Sequence, residues 1–141
     1  MGLNGTTIIK RPADIVFAFI NNIENDIHWR YGVTKSGLRS GESLGVGVVG
    51  YTAAGNQEVE WRVDAYDPGR SVDWTLLNGP FHGRGGYRLE SVDGGTKFTL
   101  VADVQPTGIY KLLGPIFAWM GRRRNQADVE KLRDILESMA D

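Results

Sequence analysis

The sequence contains no cysteine. Disulfides, thiolate nucleophiles and cysteine-ligated zinc are therefore excluded. Histidine is almost as scarce: there are two, His28 and His82, and neither has a second ligand at a useful helical or hairpin spacing. Glu24, Asp26 and His28 lie close together, but on a short polar turn they are expected to be solvated, so no metal site is expected. No excess of either charge exists: 16 Lys and Arg face 17 Asp and Glu, a formal net charge of -1. Without a global positive field, nucleic acid is not an expected partner. The one dense basic cluster is Arg122, Arg123 and Arg124. It is expected to be a solvated helix face, the alternative being a contact to a phosphate or carboxylate headgroup near a pocket mouth. Long apolar runs are missing too. The most apolar stretch, Ile109 to Met120, is interrupted by Lys111, Gly114 and Pro115, and is too short for the ~30 Å of a bilayer core. The expectation is no membrane insertion. No basic start followed by an apolar stretch opens the chain, so cytoplasmic residence is the default.

What the sequence does contain is a regular alternation of elements. Its 141 residues, 41% of them apolar, suit one domain over residues 1–141 with a core of its own. Thr6 to Lys10 reads as a first strand. Pro12 and Asp14 then open a helix whose apolar face is Val16, Phe19, Ile20 and Ile23. A second short helix is expected from Glu24 to Trp29. From Val33 to Val104 the period is two: Val59, Trp61, Val63; Val72, Trp74, Leu76; Tyr87, Leu89; Phe98, Leu100, Ala102, Val104. Val46 to Thr52 is expected to be a strand of unclear parity. Ala54-Gly55-Asn56, Asp67-Pro68-Gly69, Asn78-Gly79-Pro80 and Asp93-Gly94-Gly95 mark the turns of a meander. After Gln105-Pro106-Thr107-Gly108 the pattern predicts helix from Ile109 to Ala140, broken or offset at Gly114-Pro115.

The expected fold class is α+β: a curved antiparallel sheet of about seven strands around a long C-terminal helix, with two short helices after the first strand. A long twisted sheet curls, and glycines within its strands allow sharp bends. One helix gripped by such a sheet leaves a gap wherever large side chains do not fill it. The residues expected to line that gap are Trp29, Trp61, Trp74, Leu76, Phe81, Tyr87, Leu100, Phe117 and Met120. Aromatic residues at such spacings are equally able to form plain core.

The ordered fragments along the chain resemble a known superfamily. They are Arg11-Pro12-Ala13-Asp14-Ile15-Val16-Phe17-Ala18-Phe19, His28-Trp29, Gly45-Val46-Gly47, and Glu60-Trp61-Arg62-Val63-Asp64-Ala65-Tyr66-Asp67-Pro68-Gly69-Arg70. Gly79-Pro80-Phe81, Gly86-Tyr87-Arg88-Leu89-Glu90, Gly94-Gly95-Thr96-Lys97 and the closing run from Asp128 to Glu137 complete the series. Together they are similar to the START-like, or Bet v 1-like, helix-grip proteins of the polyketide cyclase/dehydrase and lipid-transport (SRPBCC) branch. The resemblance implies a hydrophobic cavity under the C-terminal helix. It implies no particular reaction and supplies no catalytic motif, so the catalytic residues are unknown at this stage.

Two local motifs are rejected. Gly45-Val46-Gly47-Val48-Val49-Gly50 fits G-x-G-x-x-G, but strand rather than helix should follow it. Gly41-Glu42-Ser43-Leu44-Gly45 fits G-x-S-x-G without the strand-to-helix setting of a nucleophile elbow. No cofactor is expected. For proton transfer the candidates near a pocket mouth are His28, Tyr31, Asp73, His82, Arg84 and Tyr87. Alternation from Tyr87 turns His82 and Arg84 outwards, and a bulge at Gly85-Gly86 would reverse that. The expected partner is a small hydrophobic or amphipathic ligand such as a lipid, polyketide or aromatic metabolite. The alternatives are a cyclase/dehydrase-type enzyme using polar groups in the same cavity and a protein–protein module whose helix or sheet edge docks a partner, which a large exposed apolar patch would favour. Exposed sheet edges leave room for a homodimer without requiring one.

Overall fold

A computed structural model describes residues 2–139. Strand β1 (Gly5–Ile9) is followed by helix α1 (Ala13–Asn21), a 3-10 turn (Ile23–Asn25) and the one-turn helix α2 (Asp26–Trp29). Pro12 precedes α1, where a missing N–H costs nothing, and the Asn22 side chain accepts from Glu24 N to start the 3-10 turn. Six strands then run consecutively: β2 (Val33–Leu38), β3 (Val49–Ala54), β4 (Gln57–Asp67), β5 (Ser71–Leu76), β6 (Phe81–Val92) and β7 (Gly95–Pro106). A 3-10 segment (Gly108–Leu113) leads into the long helix α3 (Gly114–Ser138).

The seven strands form one antiparallel sheet in the order β1-β7-β6-β5-β4-β3-β2. It curls into the half-barrel of a helix-grip fold, with α3 against its concave face. Two boundaries differ from the sequence reading. The strand expected at Val46 begins at Val49, because Gly47 adopts a left-handed turn conformation (φ 86°). The last helix does not begin at Ile109. A continuous α-helix through this segment would need the N–H that Pro115 lacks and would press its ring on the preceding turn. The chain therefore winds as 3-10 up to Leu113 and becomes α-helical at Gly114, with Pro115 in the first turn. The expected end at Ala140 lies outside the described residues.

The core joins all layers. Val16, Phe17 and Ile20 of α1, Phe98 and Leu100 of β7, and Val129, Leu132 and Leu136 of α3 are buried in one cluster. Helix α3 packs chiefly on β1, β7 and α2. Its approach to β1 is close: a Cβ on Gly5 would stand 2.6 Å from the Asn125 carbonyl oxygen. The helix thus covers one flank of the concave face, and the flank made by β3, β4 and β5 is lined without being filled.

Candidate functional site

Two adjoining cavities occupy the concave face. The first, of about 350 Å³, lies over β3 to β6 and is bordered mainly by apolar side chains, among them Val59, Trp61, Val63, Val72, Trp74 and Leu76. The second, of about 450 Å³, lies under the first turns of α3 and is bordered by Leu100, Phe117 and Met120. Arg30, Trp74, Leu76 and Phe81 border both. These volumes suit small ligands, since pockets for them typically run to about 300–1,000 Å³.

The wall geometry follows from cross-strand pairing. Trp61 pairs with Gly50 and Trp74 with Gly85. A Cβ at Gly50 would come within 2.3 Å of the Trp61 ring, and one at Gly85 within 2.7 Å of Trp74 Nε1. Glycine opposite each tryptophan therefore lets the indole lie down against the neighbouring strand, where a larger residue would lift it. The two indoles are 6.4 Å apart, and Trp74 meets Tyr87 edge-on at 4.8 Å. Phe81 stacks on Phe117 at 4.5 Å where the 3-10 segment passes into α3.

Of the expected wall residues, Trp61, Trp74, Leu76, Phe81 and Tyr87 border the first cavity. Leu100, Phe117 and Met120 border the second. Trp29 borders neither. It is 1% exposed, packed 6.0 Å from both Tyr87 and Phe98, and it backs the wall from behind. His28, His82 and Arg84 are exposed. The β6–β7 ladder runs from Phe81 to Val92 without a register shift, so no bulge at Gly85-Gly86 turns these side chains over; His28 and His82 border neither cavity, whereas Arg84 borders the second. Asp73 is ion-paired with Arg88 at 2.7 Å, and Tyr31 is exposed.

The first cavity has one polar end. Asp26, expected to be solvated, is instead only 7% exposed. The correction has a simple cause: Ile23, Asp26 and Trp29 recur every three residues and share the inward face of the 3-10 turn and α2. Ser36 Oγ lies 3.4 Å from Asp26 Oδ2 as a donor and 3.3 Å from Thr52 Oγ1, which accepts from Trp61 Nε1 at 3.0 Å. A polar chain thus runs from the carboxyl to the indole wall. Asp26 Oδ1 and Trp29 Nε1 are buried without a hydrogen-bond partner of good geometry. Burial pushes the Asp26 carboxyl from 3.8 up to about 6, against the opposing pull of Arg30, Ser36 and Trp29.

Arg30, half-buried, joins this end of the cavity to α3. Its Nε lies 3.2 Å from Asp128 Oδ2, and the Tyr31 N–H donates to Asp128 Oδ1 at 3.2 Å. Burial works against the Arg30 charge, but the carboxylates of Asp128 and Asp26 favour it, and its pKa is held above the ordinary value. Burial also raises Asp128, against the pull of Arg30. Tyr87 is pushed up by burial first and by Asp26 second, so its hydroxyl stays neutral. The cavity therefore presents a carboxyl that titrates near neutrality, a fixed guanidinium and a neutral phenol.

Asp26, Arg30 and Asp128 were not among the expected site residues, though a signal for each was present. Asp26 and Arg30 are an i, i+4 pair, and each acid sits on an apolar stripe, Asp26 beside Ile23 and Trp29, Asp128 beside Val129 and Leu132. An acid on such a stripe is buried with a partner or sits in a cavity.

A curled sheet gripping one helix defines the class of helix-grip proteins. The chain belongs to the polyketide cyclase/dehydrase and lipid transport family, whose model matches residues 3–137. No curated protein matches the sequence. Among solved structures it is similar to TTHA0849 from Thermus thermophilus, with 15% identity, all of both chains covered and a TM-score of 0.81. It is also similar to the Zhui aromatase/cyclase from Streptomyces sp. R1128 (18% identity, 97% of this chain and 93% of that chain, TM-score 0.73). A third likeness is to the Aha1 dimer from Colwellia psychrerythraea (15% identity, 97% and 96% covered, TM-score 0.71). At these identities the likeness is one of fold.

Proposed function

We propose that the protein binds a small hydrophobic or amphipathic ligand, of the lipid, polyketide or aromatic-metabolite kind, in the first cavity. The ligand's apolar body lies against Trp61, Trp74, Leu76 and Phe81, and its polar end faces Asp26, Arg30 and Tyr87. The observation that carries this reading is the polarity gradient: a hollow of about 350 Å³ with apolar walls and one hydrogen-bonding end. Burying apolar ligand surface there contributes ~25 cal/mol per Å² before the entropic cost of binding. Fluorescence titration with an apolar dye is expected to show saturable binding near micromolar. Val59→Trp, which fills the hollow from β4, should weaken that binding at least about tenfold, or ~1.4 kcal/mol. Absence of saturable binding to the wild type would refute the reading.

The Asp26 carboxyl favours a second reading, a cyclase/dehydrase-type enzyme. A group titrating near 6 inside an apolar hollow can both accept and give up a proton near neutral pH. Ligand folding against the aromatic wall would bring an acidic C–H or a leaving hydroxyl to that carboxyl. With a synthetic poly-β-ketone thioester, turnover should follow a pH profile with an inflection near 6. Asp26→Asn should abolish turnover while leaving dye binding intact. Unchanged turnover in that variant would remove Asp26 from the chemistry.

A further inference from the structure

The end of the 3-10 segment and the first half of α3 face outwards in a way the core-forming second half of α3 does not. Leu112, Ile116, Trp119 and Met120 are 86%, 58%, 55% and 45% exposed. They follow one another at intervals of four, three and one residues and form a single apolar ridge. Solitary exposed apolar residues need no explanation, but a contiguous ridge of four marks a contact surface. The charge along this stretch of chain is of one sign. Between Asp103 and Asp128 the sequence has no acid and four cations, Lys111, Arg122, Arg123 and Arg124, in a chain whose net charge is -1. Arg123 lies 5.0 Å over the Trp119 ring, Arg124 lies 4.0 Å over Tyr31, and Arg122 donates to the Gly2 carbonyl oxygen at 3.3 Å. All three remain exposed.

We propose that this face, the ridge with its flanking cations, docks the protein on an anionic lipid bilayer. Leucine, isoleucine and tryptophan beside arginine form the side-chain set of helices that lie in the headgroup region. The occupant is a bilayer because both halves of the surface are then used. A nucleic acid would engage the cations and leave the apolar ridge in water. A second copy meeting this face about a two-fold axis would bring together two surfaces of the same positive charge. Docking is shallow, since no helix among the described residues is long and apolar enough to cross a membrane. The position also fits exchange with the hollow interior: Phe117 and Met120, on the same turns, border the second cavity.

Co-sedimentation of the full chain with vesicles tests this directly. Binding is expected to vesicles of phosphatidylcholine mixed with phosphatidylglycerol, to fall as salt is raised, and to be absent on phosphatidylcholine alone. Trp119→Ala, and separately Arg122→Glu with Arg123→Glu, should each weaken it about tenfold or more, with thermal unfolding unchanged. Equal binding to both vesicle types, or binding to neither, overturns the proposal. A concentration-dependent dimer that Ile116→Glu dissociates, with no vesicle binding, would assign the face to a second copy instead. The vesicle preference and salt response of the wild type decide the matter even if a variant fails to fold.

Discussion

At the scale of single residues, Asp26 is the group with most to say. Its folded-state pKa lies near 6 against an ordinary 3.8, so the folded protein holds this proton more tightly than the unfolded chain. Stability must then fall as pH rises between those two values and level off above them. A shift of that size corresponds to roughly 2–3 kcal/mol at neutral pH. Asp26→Asn should therefore be close to neutral for stability near pH 4 and stabilising by about 1–3 kcal/mol above pH 7. Urea unfolding of both proteins across that range measures the difference. A loss of stability that is constant with pH would show that the Asp26 charge is not held at a cost in the fold. The sequence disclosed the walls of the site better than this group. Trp61 and Trp74 were legible from strict alternation, but the acid at position 26 stood among polar neighbours and looked solvated. Its three-residue spacing from Ile23 and Trp29 was the signal of burial, outweighed by the polar Glu24, Asn25 and His28 between them.

At the scale of elements, α3 divides into halves with different duties. Val129, Leu132 and Leu136 are at 0–1% exposure and close the core against β1 and β7. Leu132→Ala should cost about 2–5 kcal/mol through lost burial and the cavity left behind. Ile116→Ala, at the exposed end, should stay within about 0.5 kcal/mol. Chemical denaturation of the two variants distinguishes a gripped half from a displayed one. Equal costs would mean that both halves carry the fold. The core stripe of the second half was legible because polar residues interrupt it at the helical period. In the first half Leu112, Ile116, Phe117 and Met120 read simply as a wider apolar surface. Only the packed structure separates Phe117, which stacks on Phe81, from Ile116 and Trp119, which stay more than half exposed. The strand meander was legible from its turns. The late start of β3 was not, because the glycines before it carry no parity.

At the scale of the whole molecule, the proposed function rests on incomplete filling. The sheet has seven strands and one long helix to cover them, and that helix lies over β1 and β7. The remaining flank keeps its apolar side chains around an open hollow, with the Asp26–Arg30–Asp128 network at the boundary between hollow and helix. That architecture could be anticipated from the order of elements. The shape of the hollow could not, because it depends on indoles laid against Gly50 and Gly85 and on Trp29 retreating into the core. The most direct test is methyl NMR during titration with an apolar ligand. The Val59, Val63, Val72 and Leu76 methyl signals are expected to shift together and saturate while those of Leu136 stay nearly still. Shifts confined to surface methyls, or none at saturating ligand, would contradict binding in the hollow.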